Sequence, residues 1–385
     1  MLLYLLIFSI PFLFYWFSII RETNIRQLDD QRFAVIYIYG IALFVGLGDM
    51  LGGYDRYIYS ELFDNLADQL RVGTSIKLSD IYQAYSTEFG YIGFNWAVAH
   101  ITSNRYIFIF LYTICMYAII LHSFRKYAKN YPLASILFMA LVFYFSFTYL
   151  RQMFAAAIIG LSIRYIIERK FLKYCAIVIA AFSFHNSAII FFPMYFIANK
   201  KYSKARILLL MSVCFIIGVT GISSSLYNLF DDISTRAAHG DYAVQGDARI
   251  AYILEAGFFL FFLIKSYSHL PDTKQSIVLY NIALAFCAIL LLFIRSENGG
   301  RLSWYFIYGL IFSLTQLSTT NYGKKIKMGL QLSIVCFVLF LRILISWGVL
   351  LYPYKTFFTN GHRENDYIFE RYEYDYNYDK DKFYK

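Results

Sequence analysis

Charge is scarce in this chain. Of its 385 residues only 16% are Asp, Glu, Lys or Arg, whereas 59% are hydrophobic and 21% are aromatic. An average soluble domain carries about 25% charged residues. The composition therefore excludes a soluble enzyme or a soluble binding module, and it favours a protein that is embedded in a membrane.

The chain also lacks paired cysteines and internal repeats. Its five cysteines all lie within apolar runs and form no CxxC pair, so we expect reduced residues of the protein core. Residues 1–20 have no basic start and no small-residue cleavage site. We therefore expect them to form a retained first helix rather than a signal peptide.

Basic residues outnumber acidic ones, 35 to 25, and they cluster in short loops between apolar runs. This pattern is typical of a cytoplasmic membrane face and not of a nucleic-acid groove. We expect the lipid bilayer as a partner, and no nucleic acid. The loops that we assign to the cytoplasm are 21–32, 125–131, 169–173, 200–206 and 324–327.

Long apolar runs with few charges recur from one end of the chain to the other. A run of about 20 residues can cross a bilayer as a helix. We predict an all-α, polytopic integral membrane protein of about 12 helices plus a re-entrant segment. The runs are 2–20, 33–48, 106–123, 132–150, 152–167, 172–184, 187–198, 207–222, 250–267, 276–294, 302–317 and 329–352.

These runs define a single transmembrane domain, residues 1–352. Alternation of the loops across the membrane makes 49–88 and 223–249 extracytoplasmic. Residues 353–385 form a polar, Tyr-rich tail, which we predict to be a mobile, solvated extension.

The weaker run 89–103 is interrupted by Asn95 and His100. If it crossed the membrane, the loops 21–32 and 125–131 would lie on opposite sides. It is also shorter than the roughly 20 residues that a span needs. We predict that it is re-entrant or lies at the outer interface.

A second short segment lies between Lys173 and Lys200, two residues that we place in the cytoplasm. Only 26 residues separate them, whereas two crossings need about 40. We predict a helical hairpin whose tip, His185-Asn186-Ser187, stops roughly 20 Å deep. The alternative is one tilted span with a core histidine, which would place three basic loops outside.

Arg151 and Gln152 form another polar break. Counting back about 20 residues from the basic stop at Glu168–Lys170 places Arg151 at the outer membrane boundary. Ionisable groups at membrane depth are functional candidates because they are costly to keep there. The alternative is an arginine that snorkels to lipid phosphate.

Two further polar groups belong to the outer face. Asp55, Tyr59 and Phe63 are spaced by four, so they share one helical face, and an acid followed by aromatic rings suits sugar recognition. An interfacial helix with an aromatic belt would show the same spacing. The cluster from Arg295 through Glu297 to Arg301 adds arginines that suit a pyrophosphate.

Taken together, these motifs resemble those of the EpsG family of polysaccharide polymerases, relatives of the Wzy-type O-antigen and capsule polymerases. The resemblance extends from near residue 30 to near residue 310. The matching motifs are Gly53-x-Asp55-x-x-x-Tyr59-x-x-x-Phe63, Arg151-Gln152-x-x-Ala155, Phe184-His185-x-Ser187-Ala188, and Arg301-Leu302 before Trp304-Tyr305-Phe306.

The resemblance implies a metal-independent membrane glycosyltransferase with a GT-C-like fold and no cofactor. Such an enzyme works at the outer face of the bacterial cytoplasmic (inner) membrane. It moves a growing chain from its polyprenyl pyrophosphate onto a new polyprenyl-pyrophosphate-linked oligosaccharide. A chain-length regulator protein is a further expected partner.

Glycosyl transfer from a lipid pyrophosphate requires a neutralised leaving group and an acceptor that loses a proton. We assign Arg151 to the pyrophosphate, with Arg301 as its helper. His185 and Asp55 are both candidates for the base. The remaining predicted substrate-binding residues are Tyr59, Arg56, Gln152, Arg295 and Glu297.

Other functions remain open on the sequence alone. A flippase or transporter of lipid-linked sugars would also need arginines that face a cavity, although such folds show internal symmetry that is not visible here. An O-antigen ligase-type transferase or a sugar acyltransferase would use a similar outer site. A non-catalytic scaffold would not need polar residues at bilayer depth.

Overall fold

The described structure is helical. The computed structural model describes residues 1–20, 26–223, 247–319, 324–359 and 382–383. These ranges contain no strand, only an isolated bridge between Gly48 and Thr356. The prediction of an all-α protein is confirmed. The helices are α1 Leu2–Ile20, α2 Arg26–Gly46, α3 Tyr54–Val72, α4 Asp80–Tyr85, α5 Phe89–Ala99, α6 Arg105–Tyr127, α7 Tyr131–Phe138, α8 Phe145–Thr148, α9 Leu150–Ile167, α10 Phe171–Phe182, α11 Met194–Ile197, α12 Lys204–Thr220, α13 Ile250–Lys265, α14 Lys274–Leu292, α15 Ile307–Leu317, α16 Lys324–Ser346 and α17 Gly348–Leu351.

Within the described residues, four helical segments are long and apolar enough to cross a membrane, and they mark the chain as a membrane protein. They are Arg105–Tyr127, Leu150–Ile167, Lys274–Leu292 and Lys327–Ser346. Length and composition alone do not confirm the predicted number of about 12 helices, which stays a prediction.

The predicted run 132–150 is not one helix. It begins as α7, continues as a π-helix over Met139–Phe143 and ends with α8. Tyr149 then leaves the helical conformation, with φ −85° and ψ 57°, before α9 begins. π-helical segments are frequent at functional sites. The break here places Tyr149 and Arg151 at the start of α9.

The predicted hairpin is present. Helix α10 ends at Phe182, the chain turns through His185, and a 3₁₀ segment, Asn186–Phe191, runs back beside it. The Tyr174 hydroxyl donates to the carbonyl of Phe191 at 2.6 Å. Arg169 donates to the carbonyl of Tyr195 at 2.7 Å. These bonds join the two arms near their base, so both arms run between the same two levels of the bundle.

Helix α5 is short, as the sequence predicts for 89–103. Its 11 residues span about 16 Å, half of a bilayer core of about 30 Å. Its first turn docks on the hairpin tip, because the backbone N–H groups of Gly90 and Tyr91 donate to the carbonyl of Ser183 at 2.9 and 3.1 Å. The helix therefore cannot cross a membrane and instead covers the hairpin tip.

The described parts of the C-terminal tail, residues 353–359 and 382–383, contact the helical bundle. The Tyr354 ring stacks on Phe44 with centroids 4.0 Å apart. Lys382 has a buried side chain and pairs with Asp49 at 2.9 Å. Residues 360–381, which contain the Tyr-rich repeat, lie outside the described residues, as does most of the loop 223–249.

Candidate functional site

Arg151 lies in the first turn of α9 and forms a salt bridge with Glu88. The side chain of Arg151 is only 13% exposed and that of Glu88 is 1% exposed. Both ions are removed from water, so each depends on the other for charge compensation. The predicted functional arginine is thus already paired within the protein.

Three tyrosine rings surround the same guanidinium. The Arg151 Cζ atom lies 3.7 Å from the ring centroid of Tyr85, 5.4 Å from Tyr59 and 5.7 Å from Tyr91. Burial raises the pKa values of Tyr59 and Tyr85, against the opposing charge of Arg151. The phenols therefore remain neutral and contact the Arg151 guanidinium through their ring faces as cation–π partners, while Glu88 supplies the negative charge.

Glu88 also holds the hairpin tip. Its second carboxylate oxygen accepts a hydrogen bond from the backbone N–H of Asn186 at 3.2 Å. The Asn186 side-chain amide donates to the Thr87 hydroxyl at 2.8 Å. A single carboxylate therefore joins the start of α9 to the residue that follows His185. This contact brings the two polar breaks of the sequence together in space.

His185 is buried within a hydroxyl network. Its Nδ1 atom lies 2.8 Å from the Ser187 hydroxyl and 3.2 Å from the Tyr305 hydroxyl, and the two hydroxyls are 2.8 Å apart. Tyr305 comes from the 3₁₀ segment Gly299–Phe306. The network fixes the ring orientation. Arg151 and Arg301 both act electrostatically on the imidazole.

Arg301 is held by the residue next to Arg151. Its Nε atom donates to the Gln152 side-chain oxygen at 3.2 Å, and the Gln152 amide donates back to the Arg301 carbonyl at 3.1 Å. The guanidinium lies 4.3 Å from the Tyr149 ring centroid. The structure thus brings together Arg151, Gln152, His185 and Arg301, four residues that the sequence singled out.

A cavity of about 190 Å³ is lined by Arg301, whereas Arg151 is not part of its lining. Its polar lining includes Glu255 and Arg342, from α13 and α16. Tyr149 and Trp304 form part of its aromatic wall. The site therefore has two parts: a closed part at Arg151 and His185, and an open part beyond Arg301.

Several predicted residues lie beside this site or apart from it. Asp55 lies in the first turn of α3, where it acts electrostatically on Tyr59 and Tyr85. Arg295 and Glu297 are exposed, and Glu297 pairs with Arg249 at 3.6 Å. They belong to the surface near the Arg301 segment and not to the cavity lining.

The prediction of Arg56 as a substrate-binding residue needs correction. Arg56 is fully buried and donates to the carbonyls of Val45 at 3.0 Å and Gly48 at 3.1 Å. These carbonyls lie at the C-terminal end of α2, where a cation is favourable. Arg56 therefore caps the end of a helix and, being fully buried, presents no surface to a substrate.

The sugar-stacking role predicted for Tyr59 is also wrong. Tyr59 is 4% exposed, and its ring lies against Arg151. Phe63, which shares its helical face, is buried and stacks on Phe108 with centroids 4.4 Å apart. This face of α3 is part of the protein core, because the shared spacing marks a buried stripe as well as a binding face.

Sequence reasoning missed Glu88, Tyr305, Glu255 and Arg342. One signal for Glu88 was available, since it is the sole acidic residue between Asp80 and Glu168. A buried arginine in that stretch has no other carboxylate nearby in the sequence with which it could pair. The remaining three residues lie in other parts of the chain, and their approach to the site depends on tertiary packing.

These features define a helical membrane protein with a buried arginine–carboxylate–histidine site at one end of its bundle. Among the described residues, no group of three His, Cys, Asp or Glu side chains is placed to hold a metal ion. Residues 31–356, most of the chain, match the EpsG family, and the chain belongs to that family. Comparison with curated proteins and with solved structures gives no match.

Proposed function

We propose that this protein polymerises polyprenyl-pyrophosphate-linked oligosaccharide repeat units by glycosyl transfer. Membership of the EpsG family supports a polysaccharide polymerase-type role. We place the reaction at the outer face of the bacterial inner membrane. For the complete chain we propose a multi-pass topology of about 12 helices and a GT-C-like architecture.

One observation carries the proposal: Arg151, Gln152, His185 and Arg301 converge from three separate elements. The convergence is direct, because Gln152 bonds to Arg301 and Glu88 joins Arg151 to the hairpin tip. An arginine beside an imidazole suits a reaction in which a pyrophosphate leaves and a hydroxyl loses its proton. A non-catalytic scaffold has no need of this cluster.

Because Arg151 is already paired, we assign the first contact with the pyrophosphate to Arg301 and not to Arg151. Arg151 shares its charge with Glu88, whereas Arg301 lines the cavity. In our proposal Arg301 contacts the pyrophosphate first and Arg151 positions the hairpin tip. The planar guanidinium of Arg301 offers paired donors to phosphate oxygens.

In our proposal His185 is the base, and Asp55 orients the acceptor. If the neutral imidazole of His185 carries its proton on Nδ1 and donates it to the Ser187 hydroxyl, Nε2 is free to take the proton of the acceptor hydroxyl. The acceptor oxygen then forms the new bond to C1 of the donor sugar. Polyprenyl pyrophosphate leaves with the electron pair of the broken C1–O bond, beside Arg301.

The test uses the purified protein and a lipid-linked repeat unit extracted from cells that lack this chain. We expect a ladder of products, and no ladder with Arg301→Ala or His185→Ala. A single transfer to a second acceptor would indicate a ligase. Movement of the substrate between leaflets of a proteoliposome without new bonds would indicate a flippase. Either of these results would overturn the polymerase proposal.

A further inference from the structure

The cavity beyond Arg301 lies at one end of the bundle. Glu255 is near the first residue of α13, which begins at Ile250. Arg342 is near the last residue of α16, which ends at Ser346. Leu290, near the end of α14, also lines the cavity. All three residues line the same cavity as Arg301, so the cavity is continuous with the proposed pyrophosphate position.

The aromatic wall of this cavity is itself fixed by stacking. Phe145 and Trp304 have ring centroids 4.3 Å apart with an interplanar angle of 27°. The ring centroids of Tyr149 and Trp304 are 5.2 Å apart, and the Arg301 guanidinium lies over the Tyr149 ring. All three rings line the cavity. The wall therefore presents rigid aromatic surface to a ligand, at low cost in conformational entropy.

Glu255 is the acidic residue of the cavity lining. Among the described residues, its carboxylate makes no hydrogen bond and no salt bridge, although Arg342 acts on it electrostatically. An acidic side chain in an apolar helix is costly to keep. A carboxylate with unused acceptor sites, facing an aromatic wall, suits a ligand that offers hydroxyl donors on an otherwise apolar ring.

We propose that this cavity is the subsite for the donor sugar, the ring that is bonded directly to the pyrophosphate. The ring lies against Trp304 and Tyr149, and Glu255 accepts hydrogen bonds from its hydroxyls. Arg342 lines the same cavity and supplies a compensating positive charge. This inference rests on the proposed function, because the pyrophosphate at Arg301 determines which sugar enters the cavity.

The volume agrees with one sugar ring. At about 190 Å³ the cavity is smaller than the 300–1,000 Å³ or so of drug-sized ligand sites. It therefore accommodates a single ring and not a whole repeat unit. The rest of the oligosaccharide must extend out of the cavity, so Glu255 contacts only the first sugar.

The experiment compares two probes on the full-length protein in detergent. One is the lipid-linked repeat unit extracted from cells that lack this chain, and the other is polyprenyl pyrophosphate without sugar. We expect Glu255→Gln to weaken binding of the sugar-bearing probe about tenfold, since hydrogen bonds to a charged group are the stronger class. Binding of the bare probe should stay at the wild-type value.

Three further variants make the result decisive. Arg301→Ala should weaken the binding of both probes. Glu168→Gln, at the far end of α9, should leave the binding of both unchanged. Glu255→Asp, which keeps the charge, should bind the sugar-bearing probe better than Glu255→Gln. An equal loss of both probes in Glu255→Gln would show a structural role and overturn the inference.

Failure of the inference and failure of the proposed function give different results. If wild-type protein binds the sugar-bearing probe and Glu255→Gln binds it equally well, the donor-sugar subsite is wrong and the proposed function stands. If wild-type protein binds neither probe, the proposed function falls, and this inference falls with it.

Discussion

The salt bridge between Arg151 and Glu88 gives the sharpest prediction on stability. In the variant Glu88→Gln the shape of the side chain and an acceptor for the Asn186 N–H are kept, but the negative charge is lost. The Arg151 guanidinium, 13% exposed, is then left among neutral tyrosines. Removing one partner of a buried ion pair costs about 3–5 kcal/mol, because the other charge stays buried without compensation. We expect a loss of that size in the free energy of unfolding.

The measurement is equilibrium unfolding in mixed detergent micelles, with the folded fraction followed against the denaturing detergent. A matched control is Glu168→Gln, whose partner Arg164 is 53% exposed and stays solvated. We expect little change there, since an exposed pair contributes little. If Glu88→Gln were as stable as Glu168→Gln, the assignment of Glu88 as the charge partner of Arg151 would be refuted.

Three further predictions concern the contacts around this pair. A Cβ atom on Gly90 would lie 2.2 Å from the Ser183 hydroxyl, whereas one on Gly93 would meet nothing within 4 Å. Gly90→Ala should therefore lower the free energy of unfolding by about 1–3 kcal/mol. Gly93→Ala should raise it by about 0.5–1 kcal/mol in the same experiment. Equal values for the two variants would contradict the docking of α5. Tyr305→Phe removes a hydroxyl that contacts His185, so polymer yield should fall about tenfold, in line with roughly 1–3 kcal/mol for an unsatisfied buried group; an unchanged yield of polymer on a gel would remove Tyr305 from the site. Arg301→Lys keeps the charge but loses the Nε donor to Gln152, and we expect shorter polymer on the same gel; wild-type length would show that the point charge suffices.

The hairpin was predictable from the sequence because it depends on counting. If two basic loops are assigned to one side of the membrane and too few residues lie between them for two crossings, a hairpin is favoured over a single tilted span. The same logic applies to α5, which is too short to cross. Topology of this kind follows from chain length and charge alone, so no tertiary contact is needed to infer it.

The partners of the polar residues could not be inferred in the same way. Arg56 and Arg151 look alike in sequence, since each lies near the start of a helix beside aromatic residues. Arg56 donates to carbonyls at the end of α2, whereas Arg151 pairs with a carboxylate 63 positions away in sequence. Which role an arginine takes depends on what the packed helices place opposite it.

The distinction between a positioning and a substrate-contacting arginine can be tested by combining substitutions. If Arg151 acts by holding the hairpin tip, its charge matters only while Glu88 is charged. The double variant Glu88→Gln with Arg151→Met removes both charges and should lose less stability than Glu88→Gln alone, because coupled residues are not additive. It should also make more polymer than Arg151→Met alone, which leaves Glu88 buried without a cation. Arg301→Met gains nothing from Glu88→Gln, since Arg301 does not share that pair. A double variant that folds as well as wild type but makes no polymer would show that Arg151 itself contacts the pyrophosphate, and the order of the two arginines proposed above would have to be reversed.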